Sequence, residues 1–149
     1  MPPDPFMVLA LDEARAAAAR GEVPVGAVLV GPSGTVLARA GNRVEELSDP
    51  TAHAEILAIR AACAAAGAPR LPDSVLYVTL EPCAMCAQAI AHARVKRLVF
   101  GAWDPKGGGV DHGARVFEQT TTHHRPEIVG GIAAADCAAL LEEFFRARR

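Results

Sequence analysis

Four side chains suited to metal binding and proton transfer lie in two short strings of the sequence. His53 and Glu55 belong to Thr-Ala-His-Ala-Glu, and Cys83 and Cys86 belong to Glu-Pro-Cys-Ala-Met-Cys. One imidazole and two thiolates make three ligands of the kind that Zn²⁺ takes in proteins. Three protein ligands leave a fourth coordination position for water, which is typical of a catalytic zinc site rather than a structural one.

The carboxylate of Glu55 follows His53 by two residues and remains available for proton transfer. Zinc lowers the pKa of a bound water from about 15.7 to about 7, so that hydroxide is available at neutral pH. A carboxylate beside that water can carry a proton between water and substrate. These residues therefore predict one zinc ion held by His53, Cys83 and Cys86, with Glu55 as the catalytic residue.

A Cys-x-x-Cys pair also occurs in redox sites and in structural zinc sites. A closed structural site needs a fourth ligand, and the nearest candidates in sequence are Cys63 and His92. His92 follows Cys86 by six residues on the same predicted helix, nearly opposite in phase, which argues against its participation. The pairing of both strings, each at the start of a predicted helix, favours catalysis.

The composition indicates one globular domain over residues 1–149, with 51% hydrophobic and 21% charged residues. No apolar run approaches the roughly 20 residues that span a bilayer. The N-terminus has no basic stretch followed by an apolar one, so we expect a cytoplasmic protein without a membrane partner. Cys63 and Cys137 lie in alanine-rich helical patterns, and we expect them to be free thiols in a reducing compartment.

Strands and helices alternate along the chain, which predicts an α/β domain with a mixed sheet. Helices are predicted between Asp4 and Gly21 and over residues 53–66, 84–93 and 133–147. Strands are predicted over residues 23–30, 35–40, 75–80, 95–102 and 127–129. The metal ligands then lie at two helix N-termini, where the partial positive charge stabilises thiolates and carboxylates.

Several further residues have both a structural and a functional interpretation. Asn42 is either an ordinary turn residue or a hydrogen-bonding partner of a substrate, and Trp103 either packs in the core or stacks on a base. The glycine-rich segment Asp104–Gly109 is either a plain surface loop or a contact for a bulky substrate. His123 and His124 are expected to be surface residues rather than metal ligands.

The net charge of −2 conceals a difference between the two parts of the chain. Residues 1–92 carry six basic and ten acidic side chains, whereas residues 93–149 carry nine and seven. The C-terminal arginines, Arg146, Arg148 and Arg149, either form a solvated helix end or hold phosphates. If they hold phosphates, they should strengthen nucleic-acid binding in a salt-dependent way.

The chain resembles the bacterial tRNA-specific adenosine deaminases of the cytidine deaminase-like superfamily. Zinc-dependent nucleobase deaminases carry the signature His-x-Glu followed by Pro-Cys-x-x-Cys. The matching strings are Glu22-Val-Pro-Val-Gly-Ala-Val-Leu29, Gly41-Asn-Arg43, Asp49-Pro-Thr-Ala-His-Ala-Glu-Ile56, Leu76-Tyr-Val-Thr-Leu-Glu-Pro-Cys-Ala-Met-Cys86 and Phe144-Phe-Arg146. The resemblance extends from about residue 6 to the end of the chain.

This resemblance implies a three-layer α/β/α domain with a five-stranded mixed sheet. It also implies a homodimer, with one zinc ion per subunit, that converts adenosine to inosine at the wobble position of a tRNA anticodon. The implied roles are zinc binding by His53, Cys83 and Cys86, proton transfer by Glu55 and contact with the target nucleoside by Asn42. The departure from the family pattern lies in residues 103–122, which leaves the contacts to flanking nucleotides open.

Three other functions stay open from the sequence. The first is deamination of a free base or nucleoside, as in a guanine deaminase. The second is a binding module in which the zinc ion only stabilises the fold. The third is a catalytically silent partner subunit, which the intact set of His53, Glu55, Cys83 and Cys86 argues against.

Overall fold

The computed structural model of the protein describes residues 3–148. Within this range the strands are β1 (Gly26–Val30), β2 (Val36–Gly41), β3 (Val75–Leu80), β4 (Arg97–Ala102) and β5 (Glu127–Val129). They form one five-stranded sheet in the order β2-β1-β3-β4-β5. Strand β1 is antiparallel to β2 and β3, whereas β3, β4 and β5 run parallel. The predicted mixed sheet is therefore confirmed.

In the same range the helices are α1 (Pro5–Ala19), α2 (Val44–Leu47), α3 (Ala54–Ala66), α4 (Ala84–His92) and α5 (Ala134–Arg146). Helix α1 begins where the Asp4 carboxylate accepts hydrogen bonds from the amides of Phe6 and Met7. Helix α3 ends at Gly67. The backbone of this residue is in the left-handed region, which a glycine adopts without steric cost. None of the helices in residues 3–148 is long and apolar enough to cross a membrane.

The sheet lies between two layers of helices, because its alternate residues face opposite apolar clusters. Ala27 and Leu29 of β1 pack with α3 and α4, whereas Val28 and Val30 pack with α1 and with Cys137 of α5. All of β1 is buried, so this strand reads as a continuous apolar run in the sequence. The expected three-layer α/β/α arrangement is confirmed.

Most element boundaries agree with the sequence prediction, and the differences have local causes. Strand β1 begins at Gly26 rather than at residue 23, because Pro24 lacks an N–H and the Val25 amide donates to the carbonyl of Val23 at 2.8 Å. Strand β4 begins two residues later than predicted, since the Lys96 amide donates to the Ser74 carbonyl at 2.9 Å before the strand pairing starts. The short helix α2 was not predicted.

Candidate metal centre and active site

Two helix N-termini converge to form the site, as the sequence predicted. His53 is the residue immediately before α3, and Cys83 is the residue immediately before α4. Helix α3 follows a turn in which the Asp49 carboxylate accepts from both the amide and the hydroxyl of Thr51. Helix α4 follows β3 through Pro82, which breaks the strand pattern and costs little next to a helix start.

The three predicted metal ligands come together at these helix ends. His53 Nδ1 lies 3.6 Å from Cys83 Sγ and 3.4 Å from Cys86 Sγ, and the three ligand atoms all lie within 4.8 Å of one another. A tetrahedral ion with Zn–N of about 2.0–2.1 Å and Zn–S of about 2.3 Å places nitrogen and sulfur about 3.5 Å apart. The donor set and its spacing therefore fit one zinc ion.

In the part of the chain that the structure describes, no fourth protein ligand completes this group. Among residues 3–148, His53, Cys83 and Cys86 are the one set of three His, Cys, Asp or Glu side chains close enough to share an ion. Cys63 is a free cysteine, and His92 contacts Gln88 instead of the cluster. A three-ligand site of this kind leaves room for water or substrate, which supports a catalytic rather than a structural role.

The pKa values of the three ligand side chains shift in different directions. A hydrogen bond with Cys86, aided by one with His53, lowers the pKa of Cys83 to about 4. The contact with Cys83 and burial raise the pKa of the Cys86 thiol, and the contact with Cys83 also raises the pKa of His53. Binding of zinc requires both cysteines as thiolates and the imidazole as the neutral form, so it displaces protons from this cluster.

Glu55 lies in the first turn of α3 and lines the same cleft as His53 and Cys83. Its side chain is almost fully enclosed, since the residue is only 4% exposed. Burial raises the pKa of Glu55 to about 7. The sequence had suggested the opposite direction, because the positive end of a helix stabilises a charged carboxylate. A carboxyl group with a pKa near the working pH is well suited to both accept and release a proton.

Asn42 follows β2 and also lines the cleft. Its Oδ1 accepts a hydrogen bond of 2.8 Å from the amide of Ala54, the first residue of α3. Because the partner is a donor, the oxygen must face it, and the amide nitrogen Nδ2 is the atom left to donate elsewhere. Asn42 therefore supports the backbone at the start of α3 and still has a free donor atom for a partner in the cleft that it lines.

The cleft has a volume of about 700 Å³ and brings together segments that are distant in sequence. Such a volume is within the range of small-molecule and nucleoside-sized pockets. Besides the predicted site residues, its lining includes Glu22, Val44, Glu45, Glu81, Asp104, Gly107, Phe144 and Arg148. The cleft is therefore lined by three parts of the protein besides the metal-ligand helices: the N-terminal part of the chain, the loop after β4 and helix α5.

Glu81 is a buried residue whose function the sequence did not reveal. Its carboxylate accepts hydrogen bonds of 2.9–3.1 Å from the amides of Asp104, Val110, Asp111 and His112. His112 Nδ1 also donates to Glu81 Oε1 at 2.8 Å. Burial acts to raise the pKa of Glu81, but these bonds outweigh burial and lower its pKa. One charged carboxylate thus fixes the loop after β4 beside the metal ligands.

Glu22 has a related function on another wall of the cleft. Its two carboxylate oxygens accept from the amides of Glu45 at 3.0 Å and Glu46 at 2.9 Å, in the first turn of α2. A buried carboxylate at this position fixes α2 against the rim of the site. The only sequence signal for Glu22 and Glu81 is an acidic residue next to a predicted buried strand.

The remaining candidates take different positions. Trp103 packs against Phe100 of the core in a T-shaped contact, with ring centroids 5.9 Å apart, and remains 45% exposed. His123 is exposed, whereas His124 Nε2 donates to the Val95 carbonyl at 2.7 Å. Neither histidine belongs to the metal-ligand group. His123 is therefore a surface residue as predicted, whereas His124 is only partly exposed.

Two of the three C-terminal arginines, Arg146 and Arg148, line different surface features. The Arg148 guanidinium lies 3.5 Å above the centroid of the Phe144 ring, and both residues line the cleft. Arg146 lies at a separate surface groove with Leu141 and Phe145. Arg149, the third arginine of the predicted cluster, lies outside the described residues.

Comparison with known proteins agrees with this geometry. Residues 3–102 match the family described as the cytidine and deoxycytidylate deaminase zinc-binding region. The fold and the three-ligand group are therefore those of a zinc-binding deaminase. The chain is 58% identical to a tRNA-specific adenosine deaminase of Agrobacterium fabrum, over 97% of this chain and 94% of that protein. It is 45% identical to the one of Bacillus subtilis, over 97% and 89%.

Solved structures show the same relationship. A structure from studies of A-to-I editing by tRNA:A34 deaminases at the wobble position has a TM-score of 0.89 and 59% identity, covering 91% of this chain and 98% of that one. A guanine deaminase from Nitrosomonas europaea has a TM-score of 0.82 at 25% identity, covering 97% and 86%. The chain belongs to the family of the tRNA-specific adenosine deaminases.

Substitution of Cys86 with Ser tests the ligand set. We expect Cys86→Ser to lose its zinc, because a neutral hydroxyl replaces a buried thiolate and only His53 and Cys83 remain as ligands. Metal analysis after dialysis measures zinc per chain. Cys63→Ser is the matched control and should retain about one zinc per chain. Full zinc occupancy in Cys86→Ser would remove Cys86 from the ligand set.

Proposed function

We propose that this protein is a zinc-dependent hydrolase that deaminates adenosine to inosine at the wobble position of a tRNA anticodon. The observation that carries the proposal is the meeting of Glu55 and Asn42 with a three-ligand group in one cleft. The high identity to tRNA-specific adenosine deaminases over nearly the whole chain supports the choice of substrate. The likeness to guanine deaminases in the structures of the Nitrosomonas europaea protein is at a lower identity of 25–26%.

The proposed roles follow from the geometry of the donors. His53 Nδ1, Cys83 Sγ and Cys86 Sγ hold the metal. When bound, zinc supplies an activated water by lowering its pKa toward neutrality. The buried position of Cys86 and the half-buried positions of His53 and Cys83 make the cleft the open side of the site. Water and substrate therefore approach the metal from the side on which Glu55 lies.

Glu55 carries protons through the whole reaction. Its carboxylate takes a proton from the attacking water and delivers it to N1 of adenine as oxygen attacks C6. It then transfers the second proton to the departing amino group, which leaves as ammonia. Water and adenosine thus give inosine and ammonia, and Glu55 returns to its starting state. Its raised pKa of about 7 allows both directions of transfer near neutral pH.

Asn42 positions the nucleoside. Because its Oδ1 is engaged by the Ala54 amide, Nδ2 donates to an acceptor on the base or sugar. An anticodon loop presents unpaired bases, so little stacking energy opposes the extrusion of the target adenine into the cleft.

The chain is proposed to form one deaminase domain, because both apolar clusters pack on the same sheet. The family resemblance supports a homodimer, and the tRNA substrate supports a cytoplasmic location.

The first experiment measures inosine formation in an anticodon stem-loop with adenine at the wobble position. Free adenosine, guanine and cytidine are assayed in parallel. We expect inosine only in the RNA, since tRNA-specific adenosine deaminases are similar to this chain over nearly its whole length, and the loop after β4 and α5 add walls to the cleft. Turnover of a free base or nucleoside without turnover of the RNA would retain the zinc chemistry and refute the proposed substrate.

Removal of the Glu55 carboxylate tests the proton carrier. We expect Glu55→Ala and the isosteric Glu55→Gln to keep zinc and fold but to lose about 10²- to 10⁴-fold in kcat, the usual contribution of general acid–base catalysis. Single-turnover deamination of the stem-loop measures this loss. Glu118→Ala removes an exposed carboxylate outside the cleft and serves as the control. Near wild-type turnover in both Glu55 variants would refute the assigned role.

Neutralising the C-terminal arginines tests contact with phosphates. We expect Arg146, Arg148 and Arg149 all changed to Gln to weaken stem-loop binding and flatten its salt dependence. Each lost phosphate contact reduces the slope of log K against log salt by about 0.7 to 0.9. Arg70→Gln, located beyond the far end of α3, is the control. An unchanged slope in the triple variant would contradict the prediction.

A further inference from the structure

Trp103 is the only tryptophan in the chain, and it is 45% exposed. Fully solvated tryptophan faces are unusual in a protein surface, because the indole ring buries a large apolar area when it packs. Here one edge meets the ring of Phe100 in a T-shaped contact at 5.9 Å. Just under half of the residue is presented to solvent, directly after the C-terminal end of β4.

The exposed ring is held in one orientation. The indole Nε1–H donates to Asp111 Oδ2 at 2.9 Å. Gly131 allows the ring to lie directly on the backbone, because a Cβ at this glycine would be 2.7 Å from Trp103 Cη2. An exposed aromatic side chain that is fixed on two sides loses little conformational entropy when a ligand stacks on it.

The same buried carboxylate that supports the active site also fixes this indole. Asp104, the residue after Trp103, and Asp111, its hydrogen-bond partner, both donate their amides to Glu81. Asp104 and the nearby Gly107 line the cleft that contains the metal ligands. The indole therefore belongs to the segment that forms one wall of the active site, and it shares the supporting network of that wall.

The chemistry around the ring selects the kind of group that it can bind. The carboxylate of Asp111 lies against the indole nitrogen, so a phosphate would be repelled there. A nucleobase is neutral and offers a flat π-face, and aromatic side chains are common stacking partners of unpaired bases. An anticodon loop supplies such bases on both sides of the target adenine.

We propose that Trp103 is a stacking platform for an unpaired base that flanks the target adenine in the tRNA anticodon loop. This inference rests on the proposed function. It assigns the contact with a flanking nucleotide to one side chain, in the segment where the sequence departs from the family pattern. The platform contributes binding rather than chemistry, because the reacting atoms lie with Glu55 in the cleft.

Tryptophan fluorescence tests the platform directly, since all of the signal comes from Trp103. Zinc-loaded Glu55→Gln enzyme is titrated with the wobble-adenine stem-loop, so that binding occurs without rapid turnover. We expect saturable quenching with the same Kd as an independent binding assay. RNA that binds with this Kd and leaves the emission unchanged would overturn the proposal.

Substitution separates stacking from apolar packing. In the otherwise wild-type enzyme, Trp103→Ala and Trp103→Leu should raise KM by about 5- to 150-fold, the contribution of one stacked base, with kcat nearly unchanged. Trp103→Phe should retain most of the affinity, because a π-face remains. Leu37→Ala removes a side chain of similar exposure at the opposite edge of the sheet and is the control. Equal losses in the Phe and Leu variants would refute stacking.

A double-mutant cycle identifies the base. Each unpaired nucleotide of the loop is replaced in turn by an abasic one, and binding is measured with wild type and Trp103→Ala. One position should weaken binding to wild type but have no further effect on Trp103→Ala, and the absence of any such position overturns the platform. If the wild-type enzyme deaminates the intact stem-loop, failure of the cycle affects Trp103 alone. If it does not deaminate the stem-loop, the proposed function itself fails.

Discussion

The site depends on the close approach of two helix N-termini, at α3 and α4. A tetrahedral ion needs the ligand atoms of His53 and the two cysteines within about 4 Å of one another, and these residues come from helix starts separated by a strand. Small buried side chains make this approach possible. Ala54, Ala58 and Ala62 of α3 and Ala87 and Ala91 of α4 pack in one apolar cluster against the sheet. The alanine-rich composition of these helices is therefore a requirement of the site.

Two buried carboxylates extend this arrangement from the metal ligands to the substrate. Glu81 holds the loop after β4, and Glu22 holds α2, each by accepting hydrogen bonds from backbone amides. A buried carboxylate without partners would be costly, so each wall and its carboxylate stabilise one another. Glu81 lies next to Pro82 and Cys83, so the residue that holds the loop is only two positions from a metal ligand. Binding surface and catalytic centre thus share one framework.

Much of the fold could be predicted from the apolar period of each segment and from the capping and turn residues between segments. The bounds of β3 and β5 were predicted without error, and α1, α3, α4 and α5 were placed within about one residue, because capping residues and apolar period are local signals. Helix α2 and the 3₁₀ turn at Val116–Glu118 were missed. Both are too short to show an apolar period, and α2 is held by Glu22 from more than twenty residues away. A hydrogen bond between residues so far apart does not produce a local pattern of apolar residues from which the helix could be predicted.

The sequence by itself determined the chemistry, because residue types and spacings within His-Ala-Glu and Cys-Ala-Met-Cys define a metal-ligand set and a proton carrier. It also determined the layered α/β fold through its alternating apolar patterns. Only the tertiary structure decided that Glu55 is buried enough to raise its pKa, that Asn42 presents Nδ2 to the cleft and that Trp103 stays exposed. These properties arise from contacts between segments far apart in the chain, and burial and orientation are set by such contacts rather than by local sequence.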